Sequence, residues 1–95
     1  MTFGEIIKFL DGGYMAARDG WNGSDMFVFK QVPSEININI VPNMTSLPSK
    51  VKEEFIRRNM NLHYCNQFAI VKKDNTIDSW VPSVSDVMAT DWILK

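Results

Sequence analysis

A thiol and an imidazole, the pair used in covalent catalysis, occur once each in this sequence, at Cys65 and His63. Residues two apart on a strand share a face, so a Cys/His dyad is geometrically available. Same-face neighbours point in parallel rather than at one another, and no third, orienting group is marked by spacing. The plainer reading is a partly buried thiol beside a surface or pocket imidazole. Metal chemistry has less support: one histidine and scattered carboxylates give neither HxxxH nor DxDxDG spacing. A single cysteine makes neither an intrachain disulfide nor a cysteine zinc site. Eleven carboxylates are present, but no spacing selects a pair for acid–base work. The inventory predicts a protein with no catalytic residues, no metal and no cofactor.

Binding chemistry is better represented. Gly20-Trp21-Asn22-Gly23 is neither a Walker loop nor a GxGxxG fingerprint, yet it places a large indole between two glycines in a turn. Either Trp21 folds back onto the core and the glycines supply backbone freedom, or it holds a flat π-surface at a pocket edge beside the Asn22 amide. Trp80 is a second such indole, followed by Pro82-Ser83. Aromatic faces stack on nucleobases for about 1–3 kcal/mol each, and a helix start at Ser83 suits a phosphate or a ribose hydroxyl. From Lys50 to Lys73 six residues are basic and two acidic, whereas from Asp74 to Lys95 four are acidic and one basic. Such runs commonly mark a solvated helix face. The sharper readings are that Arg57 or Arg58 grips a pyrophosphate with its guanidinium fork, or that the two segments meet across a subunit contact.

These side chains need elements to hold them. Thr2-Phe3-Gly4-Glu5 is a capping box, and Phe3, Ile6, Ile7 and Leu10 follow at helical spacing to a Gly12-Gly13 stop. That predicts a helix over about 3–11. Strands are expected at Tyr14–Arg18, Met26–Val32, Ile36–Ile40, Leu62–Lys72, Ile77–Val81 and Asp91–Leu94. In the third of these, isoleucines alternate with Asn37 and Asn39, which predicts a core-facing and an outward-facing row. A helix is expected between Pro48 and Met60. A shorter one should follow Ser83, as N-cap, with Asp86 at the third position. The architecture expected is α+β: a small antiparallel sheet with an N-terminal helix and one or two further short helices, in a single domain over 1–95.

Composition sets the remaining bounds. Ninety-five residues with 45% hydrophobic and 22% charged content describe an ordinary folded chain, not a disordered one. A chain this short buries roughly 65% of its unfolded surface, a marginal core that predicts self-association. A net charge of -1 disfavours charge-driven binding to DNA or RNA. No apolar run approaches the ~20 residues of a membrane span, and no signal peptide is expected, so the sequence reads as intracellular.

Three clusters together resemble one family. Met1-Thr2-Phe3-Gly4-Glu5, then Ala17-Arg18-Asp19-Gly20-Trp21-Asn22-Gly23 with Met26-Phe27, and then Trp80-Val81-Pro82-Ser83-Val84-Ser85-Asp86 with Ala89-Thr90-Asp91-Trp92, look like the phage Thoeris anti-defence proteins of the second type. The resemblance spans about 1–32 and 66–95, and none is drawn for the middle. Asp74-Asn75 stands where Asp-Gly is expected, and Val84 and Thr90 where polar and acidic residues are common.

The resemblance implies a sponge acting in the cytoplasm of the infected host. Such proteins hold the cyclic ADP-ribose isomer made by a TIR-domain immune enzyme, without cleaving it, so the effector stays inactive. Some relatives also take cyclic oligonucleotides. It implies a homotetramer with ligand sites between subunits, and ligand contacts at Trp21, Asn22, Gly23, Trp80, Ser83 and Asp86. Arg57 is a candidate on local charge alone. An enzyme degrading the messenger and a protein-interaction inhibitor of a host defence enzyme are the alternatives.

Overall fold

Thr2 starts the first helix as its pattern predicts. The Thr2 hydroxyl accepts from the Glu5 N–H while the Glu5 carboxylate accepts from the Thr2 N–H, closing the capping box on α1 (Phe3–Asp11). In the computed structural model, which describes residues 1–21 and 25–95, two compact units form. The first combines Met1–Gln31 with Asn66–Lys95; the second is Val32–Cys65.

The first unit is built on β1 (Ala16–Arg18), β2 (Phe27–Gln31), β5 (Gln67–Val71), β6 (Ile77–Ser79) and β7 (Trp92–Leu94), with α3 (Val84–Met88) between the last two. These five strands form one sheet in the order β6-β5-β2-β1-β7, every pair antiparallel. Register places Ala16 opposite both Val28 and Leu94, and Val28 opposite Ile70. Side-chain alternation therefore sends Ala16, Val28 and Trp92 to one face, where they join Ile6 and Leu10 of α1 in the buried core. The Lys73–Thr76 turn between β5 and β6 has Asn75 at φ +66°, a left-handed position that asparagine tolerates well.

The second unit holds β3 (Ser34–Ile36), a 3-10 helix (Ile38–Asn43), α2 (Ser49–Arg58) and β4 (Leu62–Tyr64). β3 and β4 pair as a two-stranded antiparallel ribbon, with Ile36 opposite Leu62. Val41 and Leu62 are its buried side chains. The α+β class, the antiparallel sheet and the N-terminal helix agree with expectation.

Two strand assignments do not. The alternating Ile36–Ile40 segment leaves the strand at Ile36, and Ile40 is exposed. Asn37 accepts the Asn39 N–H at 2.9 Å, and Asn61 Oδ1 accepts the Ile38 N–H at 3.0 Å, so both asparagines turn the chain into a 3-10 helix. Asparagine competes with the strand ladder in this way because its amide reaches nearby backbone, and Pro42 lacks the N–H a strand would donate. The expected Leu62–Lys72 strand is two: β4 ends at Tyr64 and pairs with β3, while β5 starts at Gln67 and pairs with β2 and β6. The break at Cys65-Asn66 carries no glycine or proline to mark it. The helix expected between Pro48 and Met60 ends at Arg58, so Met60 lies beyond its end and is exposed.

Trp92 is fully buried and touches the largest rings of the first unit, so removing it should be costly. Trp92→Ala is expected to lower unfolding free energy by about 3–5 kcal/mol, on the scale of large aromatic truncations. Urea titration followed by far-ultraviolet circular dichroism checks this; a loss below about 1 kcal/mol would show that Trp92 does not organise the core.

Candidate ligand-binding site

Arg18 is the last residue of β1, opposite Trp92 of β7, and its side chain lies on the core face at the end of that pair. Its Nε donates to Asp91 Oδ1 at 3.0 Å and its Nη1 to Asp86 Oδ1 at 3.1 Å. One guanidinium thus ties the end of β1 to α3 and to the residue before β7. The neighbouring backbone makes the same connection, because Asp19 N–H donates to the Asp91 carbonyl at 2.9 Å and Gly20 N–H to Asp91 Oδ2 at 3.1 Å. A Cβ at Gly20 would sit 3.1 Å from that oxygen, so glycine permits the close approach. The chain then turns, with Trp21 N–H donating to the Arg18 carbonyl at 3.1 Å.

Asp86 has a second task. It completes the capping box of α3, accepting from Ser83 N–H at 2.9 Å while Ser83 Oγ accepts from Asp86 N–H at 3.1 Å. Its carbonyl takes the Trp92 indole N–H at 2.9 Å. Burial opposes ionisation of Asp86, but the Ser83 and Arg18 hydrogen bonds outweigh it and hold the carboxyl below its usual range. The bond from Arg18 likewise lowers Asp91, and both carboxylates raise the guanidinium.

Three indoles sit on this frame. Trp92 is fully buried at the centre, with the Trp21 ring 5.4 Å away at 78° and the Trp80 ring 5.9 Å away at 75°. Phe3 packs against both Trp80 and Trp92, and Phe68 against Trp80. Edge-to-face packing of this kind fixes ring orientation as well as burying area. Trp21 and Trp80 remain half-buried, so each keeps part of its surface in solvent.

Of the residues singled out by sequence, Trp21, Trp80, Ser83 and Asp86 all belong to this first-unit cluster. Trp21 does lean on the core, as one reading had it, and it also keeps an exposed part. Asn22 and Gly23 lie outside the described residues. Ser83 and Asp86 are engaged in the α3 cap, a helix of five residues. Arg57 belongs to the second unit, where Glu54 accepts from its Nε at 2.9 and 2.8 Å and from its Nη2 at 2.6 Å. His63 and Cys65 do not share a strand: β4 ends at Tyr64, His63 Nε2 lies 4.0 Å from Glu35, and Cys65 is free and exposed. Among the described residues, no three His, Cys, Asp or Glu side chains gather as a metal site.

Sequence reasoning missed Arg18 and Asp91 as organising residues. Both stand inside the quoted motifs, one residue short of Asp19-Gly20 and one before Trp92, but nothing local marks them. Their partners are 68 and 73 positions away.

The network has a pH signature. Asp86 and Asp91 are held below their unfolded value, ~3.9 for an aspartate, so their stabilisation is complete above it and is lost as pH falls through the lower folded values. Melting temperature should therefore fall as pH drops below about 4. Arg18→Gln should lower the melting temperature at pH 7 and flatten that acid decline. An acid decline equally steep in the variant would show that Arg18 does not hold the two carboxylates.

Comparison with known proteins accords with this arrangement of motifs. Residues 1–94 match the Tad2-like family, the Thoeris anti-defense 2-like domain. The chain is also similar to "Thoeris anti-defense 2" of Bacillus phage SP01, 34% identical over 92 residues, covering 97% of this chain and 91% of the relative. The match runs through the middle segment, for which the motifs alone gave no correspondence. With its motif clusters joined through Arg18 and residues 1–94 matched, this chain belongs to the Thoeris anti-defense 2-like family, a membership that supports a phage anti-defence role.

Proposed function

We propose that the protein counters Thoeris as a sponge: it binds a cyclic ADP-ribose-type messenger inside the infected bacterium and holds it intact. The observation that carries this reading is the pair of half-exposed indoles, Trp21 and Trp80, each packed against Trp92 and held by a network that joins motif clusters from the two ends of the sequence. A nucleotide messenger offers an adenine, which an indole can stack, and ribose hydroxyls, to which the Asn22 amide is suited as a hydrogen-bond partner. Ser83 and Asp86 contribute by holding α3, and through Arg18 the Trp21 turn, in one geometry. Preorganisation of this kind lowers the entropy cost of binding. Arg57 is already occupied by Glu54, and the reading does not rely on it.

Assembly with copies of itself belongs to the same proposal. Val81, Val84, Val87 and Met88 are exposed around α3, and Ile77 and Ile93 on β6 and β7. Exposed apolar side chains around α3 and at both edges of the sheet favour association with further copies, which on this reading form a homotetramer with ligand sites between subunits.

The sponge and the degrading enzyme make opposite predictions. Protein incubated with purified messenger and then denatured should release the messenger chemically unchanged and in stoichiometric amount. Recovery of an altered product would overturn sequestration. Trp21→Ala should weaken messenger binding by about 1 kcal/mol or more while the circular dichroism spectrum is retained. Unchanged affinity in the folded variant would remove Trp21 from the site. Native mass spectrometry should show four chains; a monomer that still binds messenger would contradict the intersubunit site.

A further inference from the structure

The second unit contains a cavity of its own. A groove of about 490 Å³ opens along α2 and β4, lined by Val51, Phe55, Met60, Leu62 and Tyr64, with Arg58 and His63 beside them. Its volume falls in the range of small-molecule sites, roughly 300–1,000 Å³. No residue of α2 is fully buried, although its apolar side chains lie along one side of the helix. The groove is thus an apolar floor that the unit itself leaves uncovered. Asn61 stiffens one wall: its Nδ2 donates to Glu35 Oε1 and its Oδ1 accepts from Ile38 N–H, both at 3.0 Å.

Arg58 gives the groove its charge. Glu54 lies within helical reach of both Arg57 and Arg58, and Arg57 takes it, with three hydrogen bonds between 2.6 and 2.9 Å. Arg58 Nε is left at 3.9 Å from the same carboxylate, beyond hydrogen-bonding length. Among the described residues that loose ion pair is its one polar partner, so its guanidinium fork stands at the groove without a hydrogen bond. A guanidinium in that state binds a carboxylate, sulfonate or phosphate bidentately.

We propose that this groove is a second binding site, for a small aromatic anion: a ring system seated among Phe55, Met60, Leu62 and Tyr64, with its anionic group on Arg58. Phe55 and Tyr64 present aromatic rings and Met60 a thioether, surfaces that favour a planar guest. The site is independent of the messenger reading, since every lining residue belongs to the second unit and none to the Arg18 network.

Two fluorescent probes of similar shape test it on the full-length protein: 8-anilinonaphthalene-1-sulfonate, which is anionic, and N-phenyl-1-naphthylamine, its neutral counterpart. The sulfonate should bind saturably at one site per chain and shift amide resonances between residues 47 and 64. Arg58→Gln should weaken it about tenfold and leave the neutral probe unchanged. Arg57→Gln, which frees Glu54 to take Arg58, should also weaken the sulfonate, by about two- to threefold. Met60→Glu at the exposed end of the groove should weaken both probes. The proposal is overturned if resonances outside this segment respond instead, or if Arg58→Gln weakens both probes equally. It is equally overturned if no probe binds while Met60→Glu changes the number of chains per particle, because a second copy then covers the groove.

Discussion

Everything in the first unit depends on one guanidinium shared by two carboxylates. Arg18 closes β1, Asp86 opens α3 and Asp91 leads into β7, and no strand pairing alone would fix the helix against the sheet end. Charged hydrogen bonds at a half-buried position are directional and lose strength quickly with misalignment. They accordingly specify where the Trp21 turn and α3 sit, rather than merely adding stability. Asp86 is central to that economy: one side chain caps a helix and receives Arg18, while its carbonyl orients the buried indole of Trp92.

A unit assembled from two ends of the chain has few residues with which to make a core, and it relies on aromatic area. Ile6, Leu10, Ala16, Val28 and Trp92 are buried, and Phe3, Trp21, Phe68 and Trp80 close around them. The same rings that complete the core also keep exposed parts, so on the proposed reading one set of side chains serves both stability and recognition. Apolar side chains also remain exposed around α3 and on the outer strands.

Much of this was legible from residue order. The α1 and α3 capping boxes are local signals, four residues wide, and both formed as read. The motif clusters over 1–32 and 66–95 coincide with the first unit, because the residues that meet in space are the ones that form the motifs. The roles of Arg18 and Asp91 were hidden, since their bonds join positions some seventy residues apart and periodicity does not register such pairs. The second unit was misread where its patterns were strongest. Perfect Ile/Asn alternation reads as a strand, but the side-chain oxygens of Asn37 and Asn61 accept from backbone N–H groups and bend it into a 3-10 helix. Local charge likewise did not distinguish Arg57 from Arg58; only the geometry at Glu54 separates the occupied cation from the available one.

The indole N–H resonances give the most direct test of a messenger held on this frame. Trp92 Nε1 donates to the Asp86 carbonyl inside the core and serves as an internal reference, whereas Trp21 and Trp80 lie at its edges with part of each ring in solvent. On titration with the cyclic ADP-ribose messenger, the Trp21 and Trp80 signals should shift and saturate together while Trp92 moves little, and the messenger's own resonances should stay those of the intact molecule. Saturable binding that leaves both Trp21 and Trp80 unmoved, or new messenger resonances growing in with time, would contradict it.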